Sequence, residues 1–125
     1  VYKRQVCVIW IHCAGGLPPT RRRALSNGYL KQIVMIRLNV FIRVGADHRA
    51  EVLKIAEELV AASLKDEGCV AYDVFASATR PDVLMICETW SDAGALDKHS
   101  ASDHFKTLVP QIEKLAQMKL ERFEF

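Results

Sequence analysis

The sequence predicts an α+β domain of the ferredoxin-like type, β-α-β-β-α-β, over residues 35–125. Three observations predict it. Short segments alternate apolar and polar residues with period two, as strands with one buried face do. Other segments carry apolar residues at helical spacing. The order of these segments puts two helices on one face of a four-stranded antiparallel sheet. The chain has 125 residues, half of them hydrophobic, enough for one core.

The first strand begins after Met35, where Ile36, Leu38, Val40, Ile42 and Val44 alternate with Arg37, Asn39, Phe41 and Arg43. Gly45-Ala46-Asp47 reads as a turn, with Asp47 placed to cap a helix. Val52, Ile55, Ala56, Leu59, Val60 and Ser63 then form one stripe on that helix, and Asp66-Glu67-Gly68 stops it. Cys69 to Ser77 is a second strand and Val83 to Trp90 a third, joined in a hairpin by the turn Thr79-Arg80-Pro81-Asp82. Ser91 and Asp92 cap the next helix, which breaks or bends near Ser100-Ala101-Ser102. Phe105, Leu108, Val109, Ile112 and Leu115 continue a helical stripe, with Pro110 expected to kink it or start a new segment. Met118 to Phe125 alternates again and is the last strand.

The third strand is apolar on both faces, with Val83, Met85 and Cys87 on one and Leu84, Ile86 and Trp90 on the other. Helices cover only one of these faces. A second copy of the sheet is the simplest cover for the other, so a two-fold homodimer is expected.

Residues 1–34 are different material. They hold six basic residues (Lys3, Arg4, Arg21, Arg22, Arg23, Lys31) and no acidic one. The body from Met35 holds eleven basic against fifteen acidic residues, a net charge of −4. Such a body suits nucleic acid poorly. The run Val6 to Ala14 imitates a signal peptide only loosely, lacking a clear cleavage site. Cys7, His12 and Cys13 match no standard zinc spacing. This basic leader reads as upstream sequence translated with the gene, or as a disordered extension. No apolar run reaches the roughly 20 residues a membrane-spanning helix needs. None of the four cysteines forms a CxxC pair, and Cys69 and Cys87 read as reduced residues of a cytoplasmic protein, although a bridge between neighbouring strands is open to them.

Glu67-Gly68-Cys69 with Tyr72, Glu88-x-Trp90, Ala95-Leu96-x-x-His99 and Ser102-x-His104-Phe105, in this order, resemble the antibiotic biosynthesis monooxygenase domain. The resemblance runs from Met35 to Phe125. It implies a dimeric α+β barrel with a pocket in each subunit between sheet and helices. It also implies activity of the quinol- or anthrone-monooxygenase kind, with dioxygen and a small aromatic as substrates and neither metal nor flavin as cofactor. Other members isomerise or degrade small signalling carbonyl compounds. The haem-degrading branch typically has Trp near the place of His99 and His near the place of Val109, and this sequence departs at both.

Oxygenation without a cofactor needs a base, a donor to the developing oxyanion and apolar walls. His99 is the candidate base, since imidazole titrates near neutral pH. Asn39 is the candidate orienting donor, a neutral amide that adds no charge. Tyr72, Phe75, Trp90, His104 and Phe105 are candidate substrate-binding residues. Each has an ordinary role open to it: Asn39 facing solvent or the dimer partner, His99 at a helix end, Trp90 and Tyr72 in the core. Glu88, in an apolar strand, needs a partner and reads as structural, paired with an arginine. A non-catalytic ligand-binding stress-response dimer is the remaining alternative, and the absence of a Gly-rich phosphate loop gives the isomerase no direct support.

Overall fold

A computed structural model of the protein describes residues 34–125. The reading of the basic leader, including Cys7, His12 and Cys13, lies outside the described residues but for Val34.

The elements follow in the order β1 (Ile36–Arg43), α1 (Arg49–Ser63), β2 (Cys69–Ala76), β3 (Val83–Trp90), α2 (Ala93–Ser100), α3 (Asp103–Leu115) and β4 (Gln117–Glu124). The four strands form one antiparallel sheet in the order β2-β3-β1-β4. This is the ferredoxin-like arrangement expected, with the second helical region divided in two.

Period two sorts the side chains of the sheet. Ile36, Leu38, Val40 and Ile42 of β1 are buried in the core, and their partners on β3 are Trp90, Glu88, Ile86 and Leu84. Val52, Ile55, Ala56 and Leu59 of α1 pack over them, together with Val109 and Ile112 of α3. The opposite face carries Arg37, Asn39 and Phe41 of β1 beside Thr89, Cys87 and Met85 of β3. Phe75 of β2 pairs with Met85 on this same face and is half exposed. The third strand is therefore apolar towards both sides, as its sequence suggested.

Local signals fixed most boundaries. Asp92 caps α2, its carboxylate accepting the Ala95 N–H at 2.8 Å. Ser102 caps α3 by accepting from Phe105 N, and its hydroxyl donates to the His99 carbonyl at 2.6 Å. The chain thus turns a corner between α2 and α3 at the predicted place. Two details differ. His48, not Asp47, holds the N-cap position of α1 and offers no side-chain cap bond, while the Asp47 carboxylate reaches the His48 ring at 3.5 Å. And α3 runs through Pro110 to Leu115 without starting a new segment. Proline deletes only one helical N–H there, and Val109 and Ile112 on either side remain anchored in the core.

Gly68 has φ +80°, the left-handed conformation expected, but it lies beyond the helix end rather than capping it. Helix α1 stops at Ser63 with Leu64 as its C-cap. The loop continues through turns closed by Asp66 N to Ser63 O at 3.0 Å and Cys69 N to Asp66 O at 3.1 Å. Cys69 and Cys87 are free thiols, opposite Trp90 and Asp73 respectively.

Candidate active site around His99

The last turn of α2 delivers His99 into the interior, where its side chain is fully buried. Its ring stacks on the Trp90 indole, with centroids 4.5 Å apart and planes at 30°. Phe105 meets it edge-on at 5.2 Å, and Tyr72 stands at 5.5 Å. His99 Nδ1 lies 2.8 Å from Asp66 Oδ2. A carboxylate only accepts, so Nδ1 carries the proton, and in the neutral ring Nε2 then presents a lone pair. His104, in the first turn of α3, places its Nε2 2.8 Å from the same Asp66 oxygen.

Asp66 reaches His99 because the loop it sits on comes unusually close to α2. Gly68 makes this possible. A Cβ at Gly68 would lie 2.4 Å from Ala95 Cβ and 2.7 Å from Ser91 Oγ, so no larger residue fits. The Gly68 carbonyl accepts from Ser91 N at 2.9 Å, which ties the loop to the start of α2.

From the sheet, Glu88 and Trp90 of β3 enter the same space, and Tyr72 of β2 stands opposite Glu88. Glu88 Oε2 lies 3.7 Å from His99 Nε2, too far for a hydrogen bond. Among the described residues, four buried side-chain polar atoms have no protein hydrogen-bond partner: Ser63 Oγ, Glu88 Oε2, Trp90 Nε1 and His99 Nε2. Each such atom costs about 1–3 kcal/mol when left unsatisfied, and such clusters call for an explanation in function. They are the groups that could receive a polar ligand.

Burial also sets the charges. It pushes the Glu88 carboxyl up to about 7, partly offset by the nearby Trp90 and Tyr72 donors, which do not reach full hydrogen-bond geometry. Burial, and then the Glu88 charge, raises the Tyr72 phenol. Burial lowers the His99 imidazole, with Asp66 acting the other way and His104 reinforcing the drop. At neutral pH the site therefore holds a neutral imidazole aimed at a carboxyl poised between its two forms. Burial raises both Cys69 and Cys87, which keeps them as unreactive thiols.

Five of the seven residues singled out in the sequence meet here: His99, Tyr72, Trp90, His104 and Phe105. Two do not. Asn39 lies on the far face of the sheet opposite Cys87, because the core claims the alternate residues of β1. It cannot share a pocket with His99 within one chain. Phe75 is on that far face too, in a cleft of about 200 Å³ with Phe41, Arg80 and Met85. Asp66 and Ser63 were missed. Glu88 was read as the partner of an arginine, whereas its buried neighbours are His99, Tyr72 and Trp90. A larger cleft, about 560 Å³, opens at the other end of β1 beside Arg43, Asp82 and Lys114. Neither cleft touches His99, and beside it Asp66 and His104 are partly exposed, with side chains 20% and 23% exposed.

Comparison with known proteins agrees with this architecture. The family model described as antibiotic biosynthesis monooxygenase matches residues 35–111. The Bacillus subtilis (strain 168) protein named "Putative monooxygenase YcnE" is 31% identical over 87 residues, covering 70% of this chain and 92% of that protein. A Bacteroides thetaiotaomicron protein of unknown function, described as a possible oxidoreductase, is 56% identical with a TM-score of 0.72, covering 73% of this chain and 97% of that one. A crystal structure of an antibiotic biosynthesis monooxygenase is 28% identical with a TM-score of 0.65, covering 72% and 95%. With its sheet order, its corner between α2 and α3 and this match over most of the described residues, the chain belongs to the antibiotic biosynthesis monooxygenase family.

Proposed function

We propose that the protein is a cofactor-independent monooxygenase that oxidises a small quinol- or anthrone-like aromatic with dioxygen, using His99 as the base. One observation carries this reading: His99 is buried and anchored through Nδ1 to Asp66 at 2.8 Å, with no protein partner for Nε2. A base of this kind, oriented by a carboxylate and kept from water, suits removal of a hydroxyl or activated C–H proton. Asp66 then stabilises the imidazolium. The substrate anion supplies the electrons that reduce dioxygen. One oxygen atom ends on the substrate carbon and the other leaves as water. Glu88, half protonated near pH 7, is placed to return a proton to the departing oxygen. Trp90, Tyr72 and Phe105 supply flat walls for a ring.

The test is oxygen uptake by the purified protein across a series of hydroquinones and anthrones. Uptake above buffer, lowered at least a hundredfold in His99→Ala, is expected from the loss of a general base. No uptake with any substrate, or uptake unchanged in His99→Ala, ends the proposal.

One observation favours a second reading, a ligand-binding dimer without catalysis: neither cleft reaches His99. In that case a quinol binds and protects the fold without consuming oxygen. The aromatic walls around His99 speak against a small polyhydroxy carbonyl substrate. In either reading we expect a homodimer formed across the open sheet face, where Phe41, Phe75, Val83 and Met85 gather. Free Cys69 and Cys87 fit a reducing, cytoplasmic setting. Among the described residues no helix is long and apolar enough to cross a membrane.

A further inference from the structure

The geometry points to a divalent transition-metal site formed by Asp66 Oδ2, His99 Nδ1 and His104 Nε2, with Glu88 as the outer carboxylate that receives the Nε2–H of His99. Two imidazoles and one carboxylate are the donor set that zinc, cobalt, nickel and ferrous iron favour. The three donor atoms lie within 4.8 Å of one another, and Asp66 Oδ2 is 2.8 Å from each nitrogen. Metal–ligand bonds of about 2.1 Å would place neighbouring donors roughly 3.0–3.4 Å apart. The two oxygen–nitrogen pairs need to spread by only a few tenths of an ångström, and the two nitrogens already lie within 4.8 Å of each other. They come from three separate places, the loop after α1, the last turn of α2 and the first turn of α3, and already converge.

The second observation is independent of the cluster. His99 Nε2 and Glu88 Oε2 face each other at 3.7 Å, both buried and both without a hydrogen-bond partner. A metal ion on Nδ1 selects the tautomer whose single N–H sits on Nε2, where it points at Glu88. A metal-bound histidine whose other nitrogen donates to a carboxylate is the usual second layer of such sites. Metal binding thus accounts for two of the four orphaned atoms. Asp66 and His104 are partly exposed, which gives the ion a way in and leaves a coordination position to water.

An occupied site turns Nε2 from acceptor to donor, so metal binding and proton abstraction by His99 exclude each other. The site itself does not rest on the proposed oxygenase activity, and its test reads binding. The full chain, stripped with chelator, is titrated with Zn²⁺ by calorimetry and with Co²⁺ in the visible. One equivalent should bind, and the Co²⁺ spectrum should lack a near-ultraviolet thiolate band, since Cys7, His12 and Cys13 are present in the same chain. His104→Gln and Asp66→Asn should each weaken binding at least tenfold, and Glu88→Gln should weaken it about 10–100-fold, as outer-carboxylate changes do. No binding, a thiolate band, or affinity unchanged in His104→Gln overturns the site. If either ligand variant loses its far-ultraviolet circular dichroism, the Co²⁺ spectrum of the unaltered chain and the Glu88→Gln titration decide.

Discussion

Glu88→Gln isolates the cost of the buried charge in the His99 site. In the unfolded chain this carboxyl titrates at its ordinary 4.5, and in the fold burial raises it to about 7. The folded state therefore binds the proton more tightly than the unfolded state. Stability contributed by this group is present below the unfolded value and falls as pH rises from 4.5 through about 7. At about 1.4 kcal/mol per pH unit, the loss amounts to about 3 kcal/mol by pH 8. Glutamine keeps the shape and cannot ionise. The stability of Glu88→Gln relative to the unaltered protein should thus grow by about 3 kcal/mol between pH 4.5 and pH 8. The His99 imidazole, lowered by burial, acts in the opposite sense, losing stability as pH falls below its ordinary 6.5. It is present in both proteins and largely cancels in the difference. Urea melts followed by circular dichroism, at one fixed protein concentration, measure the quantity. A difference that stays flat within about 0.5 kcal/mol over that range would refute the reasoning, because Glu88 would then carry no charge penalty in the fold.

Two other perturbations test the architecture. Gly68→Ala should lose roughly 2–4 kcal/mol in urea melts, from a left-handed alanine and from overpacking against Ala95. A loss below about 0.5 kcal/mol would show that the loop yields freely. Phe41→Arg puts a charge at the centre of the open sheet face, and light scattering should show a dimer for the unaltered chain and a monomer for the variant, with circular dichroism unchanged.

Much of the fold was legible because one side of each strand had to be apolar. Ile36, Leu38, Val40 and Ile42 left no choice of register for β1. The same rule told against Asn39, an odd-numbered neighbour of that set, but its face meant nothing until the face of β3 was known. Both faces of β3 are apolar, so its sequence could not say whether Glu88 or Cys87 turned inward. Pairing with β1 settles it, since Glu88 lies opposite Leu38. His99, Tyr72, Trp90, His104 and Phe105 were legible as chemistry at recognisable spacings. Asp66 was not, because Asp-Glu-Gly after a helix reads as a stop signal and nothing local marks a carboxylate as a partner for residues 33 and 38 positions away.

Asp66 owes its role to the backbone around it. An alanine methyl at Gly68 would start 2.4 Å from Ala95 Cβ, well inside ordinary contact distance. Relieving that clash moves the loop away from α2 by more than an ångström. The Asp66–His99 bond, 2.8 Å long, tolerates only a few tenths before it ceases to be a hydrogen bond. The loop's close approach is thus a condition for orienting His99 as well as for packing. The same movement separates Asp66 from His104, which lies at an equal distance from the same oxygen. Stability, the proton on Nδ1 and the metal donor set therefore share one structural cause. A substitution at Gly68 should weaken all three together, whereas one at Glu88 should change charge and metal affinity while leaving the loop in place.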